Sequence, residues 1–140
     1  MTPHLAADIE RDEGRRRTAY LDTVGIWTVG VGHARVPAGT VWTDDEIDRV
    51  LASDIAAVIA SLDNRLPWWR TLDDARQDVL VNMAFNLGIK GLLGFKNSLA
   101  DIKAGRFESA AKRMLQSRWS KQVGARATRL ATQMRTGVRV

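Results

Sequence analysis

At Thr43 the chain changes its apolar period, and that change limits the possible folds more than any other feature. Upstream, from Thr18 to Val31, the strand formers Ala19-Tyr20, Ile26-Trp27-Thr28-Val29 and Val31 enclose the turn residues Asp22-Thr23-Val24-Gly25. That pattern predicts a hairpin or a small antiparallel sheet. Gly30 and Gly32 inside it predict close approach of other groups. Downstream, Thr43-Asp44-Asp45-Glu46 reads as a capping box, in which the threonine and a glutamate three residues on satisfy each other's backbone N–H. Ile47, Leu51, Ile55, Val58 and Leu62 then recur at three- and four-residue spacing, which predicts one amphipathic helix to about Leu62.

The rest of the chain has helical character. Residues 3–13 predict a short first helix, with Leu5, Ile9 and Ala6-Ala7 on one side and Gly14 as its C-terminal stop. A loop through Pro37-Ala38-Gly39 precedes the capping box, and Pro67 with Trp68 and Trp69 marks a break after the long helix. Leu72–Leu87 is apolar on several sides and predicts a buried central helix ending at Gly88. Short helices are expected across Gly91–Gly94 and from about Asn97 to Ala104, then helices over Arg106–Trp119 and Ala125–Thr136. The expected fold class is α+β, mainly α: a small antiparallel β front lobe joined by a long helix to a larger helical lobe. A single domain over 1–140 is expected, with the front lobe at about 14–43 and the linking helix at about 44–63. The helical lobe would cover about 64–140, with the N-terminal helix 3–13 packed on it.

Composition removes several function classes. With no cysteine and only His4 and His33 as histidines, neither a disulfide framework nor a zinc site is expected, and no cofactor is implied. No run approaches the ~20 apolar residues that span a bilayer. The N-terminus lacks the charged start and apolar core of a secretory signal, so the reading is a cytoplasmic product released by other means. The net charge of +5 hides a division: residues 1–64 hold 6 Lys/Arg against 11 Asp/Glu, and residues 65–140 hold 15 against 5. A basic second half suits a polyanionic partner or, more plainly, a solvated surface.

Two carboxylates and a hydroxyl stand out: Glu13 at the end of a helix, Asp22 in the turn, and Thr28 on the returning strand. Taken one at a time, each has an ordinary explanation, since turns favour aspartate, strands favour threonine, and surface glutamates are common. Together they could supply what cleavage of a glycosidic bond needs: a proton donor, a carboxylate for positive charge or water, and a group that aims the water.

The same residues carry a resemblance over nearly the whole chain. Asp12-Glu13-Gly14, Tyr20 to His33, Asn82-Met83-Ala84-Phe85-Asn86-Leu87-Gly88, Gly94-Phe95-Lys96-Asn97-Ser98-Leu99, Ser117-Arg118-Trp119 and Arg135-Thr136-Gly137 stand in the order seen in the tailed-phage lysozymes. The chain resembles the endolysins of the T-even phage type, glycoside hydrolase family 24. The resemblance implies a lysozyme-like fold and the catalytic set Glu13, Asp22 and Thr28, with Glu13 as general acid and Thr28 holding the water of an inverting reaction. It implies substrate contacts at Phe85, Asn86 and Ser98, an arginine (Arg126) reaching back to the glutamate, and a structural His33–Asp54 ion pair. Between His33 and Thr43 the chain is shorter than the T-even phage enzymes, where this segment forms part of the front lobe.

The implied activity is peptidoglycan hydrolysis at the β-1,4 bond between N-acetylmuramic acid and N-acetylglucosamine, in phage-driven host lysis. The expected partners are peptidoglycan and the anionic envelope surface, with no nucleic acid, no stable membrane insertion and a monomeric state. The expected location is the host cytoplasm until release, then the wall, in the periplasm of a Gram-negative host. Three rivals stand beside this reading. A lytic transglycosylase would cut the same bond without water, leaving Asp22 and Thr28 without a task. A basic nucleic-acid module would leave the whole trio unexplained, and no helix-turn-helix or zinc pattern stands out. Membrane disruption by the basic C-terminal helices could coexist with hydrolysis. Trp68 and Trp69 could stack on sugars, whereas Trp119 is expected to pack the bundle.

Overall fold

The computed structural model describes residues 2–140. In chain order the elements are α1 (Leu5–Glu13), β1 (Arg16–Leu21), β2 (Trp27–Gly30), β3 (His33–Ala34) and α2 (Asp44–Arg65). A 3-10 turn over Pro67–Thr71 leads to α3 (Asp74–Leu93), α4 (Lys96–Lys103), α5 (Phe107–Leu115), α6 (Arg118–Val123) and α7 (Ala125–Thr136). The fold is therefore mainly helical with one small antiparallel sheet, as the period change at Thr43 predicts. The chain divides into two compact units, Met1–Ala57 and Val58–Val140.

In the first unit, Gly14 ends α1 at φ 82°, a left-handed conformation that glycine adopts without strain, and its N–H donates to Glu10 O at 2.8 Å. The chain then enters a sheet of order β1-β2-β3. Tyr20 pairs with Thr28 and Leu21 with Trp27, while a bulge between Arg16 and Tyr20 shifts the register at the far end. Beyond the hairpin, Val29 pairs with His33 and Thr28 with Ala34. The other edge of β1 is covered too, because Thr18 bridges Val41 and Trp42 N donates to Arg17 O at 2.8 Å. The short segment between His33 and Thr43 thus supplies both a third strand and an edge cover.

The capping box forms as the sequence indicates. Glu46 N donates to Thr43 Oγ1 at 3.2 Å, and Thr43 N donates to Glu46 Oε1 at 3.1 Å. The latter bond is the main reason the Glu46 carboxyl titrates below its ordinary value. Ile47, Leu51 and Ile55 of α2 are buried, as are Leu5, Ile9, Val29 and Val31.

A cation between α1 and β1 ties two helices of this unit together. Arg15 Nη1 contacts Glu10 Oε1 and Asp48 Oδ1, both at 2.8 Å, and Arg15 Nη2 meets Asp44 Oδ1 at 3.1 Å. Arg17 also pairs with Asp44. The hydrogen bonds that Arg15 donates to Asp48, Glu10 and Asp44 raise its pKa further, and Arg17, then Arg15, lower that of Asp44. The contacts join the end of α1 to the acidic first turn of α2, where negative charge also favours the helix dipole.

The second unit is a helical bundle whose core includes Leu80, Met83, Leu92, Ile102, Met114, Trp119, Leu130 and Met134. Ala110 and Ala111 of α5 and Ala127 and Ala131 of α7 are buried, and these small side chains let two packed helices approach closely. Arg76 closes the end of α7: its Nε donates to Met134 O at 2.7 Å and its Nη2 to Arg135 O at 3.1 Å. These are carbonyls that a helix end leaves without intrahelical partners. A Cβ on Gly137, which has φ +72°, would lie 2.9 Å from Arg76 Nη1, so this C-cap requires glycine twice over.

Two expectations need correction. The segment Arg106–Trp119 is two helices, because Ser117 interrupts it: its Oγ donates to Met114 O at 2.6 Å and accepts from Ser120 N at 3.1 Å, closing one helix and capping the next. The stretch α3, by contrast, is two helices meeting at Gly88 (φ 74°, ψ 163°), where the central helix ends as expected and a short helix follows to Leu93. Trp69 cannot stack on a sugar, since it is 2% exposed and its Nε1 donates to Asp63 Oδ1 at 2.7 Å. Trp119, by contrast, packs the bundle as expected, at 3% exposure and edge-on to Phe95. Among the described residues no single helix is long and apolar enough to cross a membrane.

Candidate active site

Glu13, Asp22 and Thr28 all belong to the first unit. Glu13 is the last residue of α1 and is half-buried. Its carboxyl lies over the backbone of Gly32, in the turn between β2 and β3. A Cβ built on Gly32 would stand 2.8 Å from Glu13 Oε1, 3.1 Å from Cδ and 3.2 Å from Cγ. Gly32 also has φ +65°, so the position needs glycine for its backbone conformation and for the space above it. The close approach predicted for Gly32 is thus made by a carboxylate. The one at Gly30 is made by Trp42 and Ile47, whose side chains would lie 3.2 and 3.5 Å from a Cβ at that position.

Asp22 follows β1 and organises the hairpin. Its Oδ1 accepts from Val24 N at 2.9 Å and from Ile26 N at 2.8 Å. Its own N–H donates to Ile26 O at 2.9 Å, and Gly25 N donates to Asp22 O at 3.1 Å. The ordinary role of a turn aspartate is therefore filled by one carboxylate oxygen. Oδ2 has no hydrogen-bond partner among the described residues, and a carboxylate so held keeps that oxygen available in a fixed direction.

Thr28 lies in β2, opposite Tyr20 on one side and Ala34 on the other, and is 4% exposed. Its hydroxyl donates to Ile26 O at 3.1 Å. With its only proton so engaged, the oxygen can act toward any further partner as an acceptor alone. Asp22 and Thr28 are thus coupled through Ile26, whose N–H donates to the first and whose carbonyl accepts from the second.

His33 Nδ1 and Asp54 Oδ2 are 2.7 Å apart, joining β3 to α2, and the His33 ring also tilts against Trp42 with centroids at 5.3 Å. The remaining candidates lie in the second unit. Arg126, 7% exposed, donates from Nε to Asn82 Oδ1 at 3.0 Å. Asn86 Oδ1 accepts from Trp119 Nε1 at 2.7 Å, which fixes the amide and directs its NH2 group elsewhere. Ser98 lines a cavity of about 650 Å³ with Phe95, Lys96, Asn97, Arg113 and Ser117, whereas Phe85 and Asn86 do not line it.

The sequence reading missed a second polar centre in this unit. Asp101, 5% exposed, accepts from Ser109 Oγ at 2.7 Å, Arg106 Nε at 3.0 Å and Arg113 Nε at 2.9 Å. The bond from Ser109, with help from the two guanidinium groups, holds its carboxyl below the ordinary range. The donors stand just before and along α5 while Asp101 lies on α4, and nothing in the local pattern announces their convergence.

Residues 10–135 match the phage lysozyme family. The chain is 31% identical to an endolysin of Acyrthosiphon pisum secondary endosymbiont phage 1, covering 81% of this chain and 75% of that protein. It is 26% identical to the probable T4-type lysozyme 1 of Dictyostelium discoideum, over 92% of each chain. It is also 28% identical to the pre-baseplate central spike protein Gp5 of Enterobacteria phage T4, where 95% of this chain covers 28% of that longer protein. A family match that takes in Glu13, the sheet, and the bundle up to Arg135 makes this chain a member of the phage lysozyme family, a peptidoglycan hydrolase of the lysozyme type.

Proposed function

We propose that the chain cleaves the β-1,4 bond between N-acetylmuramic acid and N-acetylglucosamine with inversion, in phage-driven lysis of a bacterial host. Glu13 gives its proton to the departing glycosidic oxygen as the bond from that oxygen to the muramic anomeric carbon breaks. Water attacks the opposite face of the ring, its oxygen bonds to the same carbon, and one of its protons passes to Asp22.

The observation that carries this reading is the hydrogen bonding of Asp22 and Thr28. Asp22 Oδ1 is held by two backbone N–H groups, so Oδ2 is the oxygen that meets the water. Thr28 spends its proton on Ile26 O, so its oxygen accepts the water's second hydrogen. A water that donates to two acceptors turns its lone pair away from both, toward an electrophile. A transglycosylase, which forms an anhydro ring with no attacking water, has no need of this pair.

The supporting roles follow the same chemistry. Asn86 presents its amide NH2 to sugar oxygens, Ser98 offers a hydroxyl in its cavity, and Phe85 gives an apolar contact. Arg126 is a buried cation that holds α7 to α3 through Asn82, and the His33–Asp54 pair braces β3 on α2. The enzyme works as a monomer without a cofactor. It accumulates in the host cytoplasm until released and acts on the wall in the periplasm.

The test is Glu13→Gln. An amide has no comparable proton to give, so wall clearing should fall by about 10²- to 10⁴-fold, the usual worth of a positioned acid. Circular dichroism and thermal unfolding should stay close to wild type. A folded variant that clears walls at the wild-type rate would remove Glu13 from the role.

A further inference from the structure

The second unit has a cavity that the hydrolytic reading does not use. It occupies about 600 Å³ beside the start of α5 and the end of α7, and its lining includes Arg106, Phe107, Ser109, Lys112 and Arg135. The only carboxylate in that lining is Glu108. A smaller hollow of about 240 Å³ adjoins it, sharing Glu108, Lys112 and Arg135 and adding Ala111, Leu115, Ala131 and Thr132. We propose that this paired cavity is a binding site for a phosphate-bearing saccharide of the bacterial envelope.

Its cations divide into those already engaged and those that are not. Arg106 is anchored through Nε to the buried Asp101, which also holds Ser109. Arg76, whose guanidinium lies 3.7 Å from the centroid of the Phe107 ring, donates to the carbonyls of Met134 and Arg135 and pairs with Asp73 at 3.0 Å. Those contacts pin the wall of the cavity and the last turn of α7, the turn that carries Arg135. Lys112 and Arg135 themselves make no side-chain hydrogen bond or ion pair among the described residues. Both cations face the two hollows against the single carboxylate of Glu108, so the lining keeps a net positive charge that an incoming anion would meet.

The ligand class follows from the lining. An arginine fork and a lysine point charge together suit the oxygens of a phosphate, and donors already fixed lose less freedom on binding. Phe107, half-buried with Arg76 over one face, offers its remaining aromatic surface to the apolar face of a sugar, and the apolar part of the smaller hollow is Ala111, Ala131 and Leu115, the last 46% exposed. Glu108 opposes a carboxylate or phosphate by charge but can accept from a sugar hydroxyl. A nucleic acid would meet no aromatic platform wide enough for successive bases here, since Phe107 is the single ring in the lining. Such a site would hold the enzyme at the envelope independently of the cleavage centre.

The experiment is a titration of the full chain with glucosamine 6-phosphate, followed by backbone amide NMR, at physiological ionic strength. Glucosamine alone and inorganic phosphate alone serve as separate arms. The expected result is saturable shifts at residues 105–112 and 131–136, with the phosphorylated sugar binding more tightly than either fragment. Lys112→Gln with Arg135→Gln should weaken binding by about tenfold. Arg65→Gln with Lys121→Gln removes equal charge away from the cavity and should change affinity by less than about twofold. Cleavage of a soluble wall fragment should be unchanged in both double variants, so the outcome is independent of the hydrolytic assignment. Equal weakening in the two double variants, or a sugar phosphate no tighter than glucosamine, would overturn the site. Two further probes separate the sources of the phosphate. Retention on phosphatidylcholine vesicles carrying a phosphorylated glucosamine glycolipid assigns a membrane headgroup. Retention on immobilised poly(glycerol phosphate) assigns a wall polymer, and retention on neither overturns the envelope role.

Discussion

Replacing Gly32 with alanine perturbs the proposed acid without touching its chemistry. The new methyl carbon would stand 2.8 Å from Glu13 Oε1, whereas ordinary contact begins at 3.4 Å, so the carboxyl must retreat by about 0.6 Å or the turn must move. Displacement of a catalytic group by about 1 Å can cost about 10²-fold in rate, which scales to a loss of about tenfold or more in kcat here. A second cost is conformational. Alanine at φ +65° sits in the left-handed region at about 1–2 kcal/mol, or about 3–6 °C in Tm for a chain of this size. Gly39→Ala separates the two effects, because Gly39 has φ +83° and nothing within 4 Å of a Cβ. It should lose similar stability and keep full activity. The assays are kcat and KM on a soluble wall fragment, with thermal unfolding of all three proteins. Wild-type kcat in Gly32→Ala would refute the idea that Gly32 sets the position of Glu13. An equal loss in Gly39→Ala would assign the effect to backbone strain.

Two further outcomes follow from the hydrogen bonds. Thr28→Val keeps the shape of the side chain but removes the acceptor oxygen and the bond to Ile26 O, so kcat should fall by about 10²-fold with KM little changed, while Thr28→Ser should recover most of the rate. Equal kcat in the valine variant and wild type would take Thr28 out of water positioning. The Asp63 carboxyl is held down from its usual 3.8 to about 2, first by Arg70 and then by Trp69 Nε1. Because the folded pKa lies below the unfolded one, its contribution is fully present above about pH 4 and is lost as pH falls toward 2. The stability gap between wild type and Asp63→Asn, measured by denaturant melts, should therefore narrow between about pH 5 and about pH 3. A gap that stays constant or widens would contradict this.

The features most legible in the sequence are those whose bonds are local. The Thr43–Glu46 capping box closes within one turn of chain, and Asp22 bonds to N–H groups two and four residues away, so each carries its own signature. The break at Ser117 is not visible there, since Ala110, Ala111, Met114 and Trp119 keep a helical spacing across it. Of the pair after Pro67, nothing in the local pattern says that Trp69 turns inward to Asp63 while Trp68 stays half-buried. At the candidate site the residue types and their order are readable. The contact of Glu13 with Gly32 is not, because it depends on a positive-φ turn that brings a strand end under a helix end. The Asp101 cluster is hidden for the same reason: its donors reach it only once α4 and α5 have packed.

The proposed water chemistry is tested most directly by proton NMR of the first ends released from a soluble, uncross-linked wall fragment, recorded before mutarotation. Inversion at a β-linked carbon yields the α-anomer of N-acetylmuramic acid first, and that is the expected spectrum. A β-anomer appearing first would contradict the inverting arrangement of Asp22 and Thr28, and a 1,6-anhydro end would contradict the attack by water altogether.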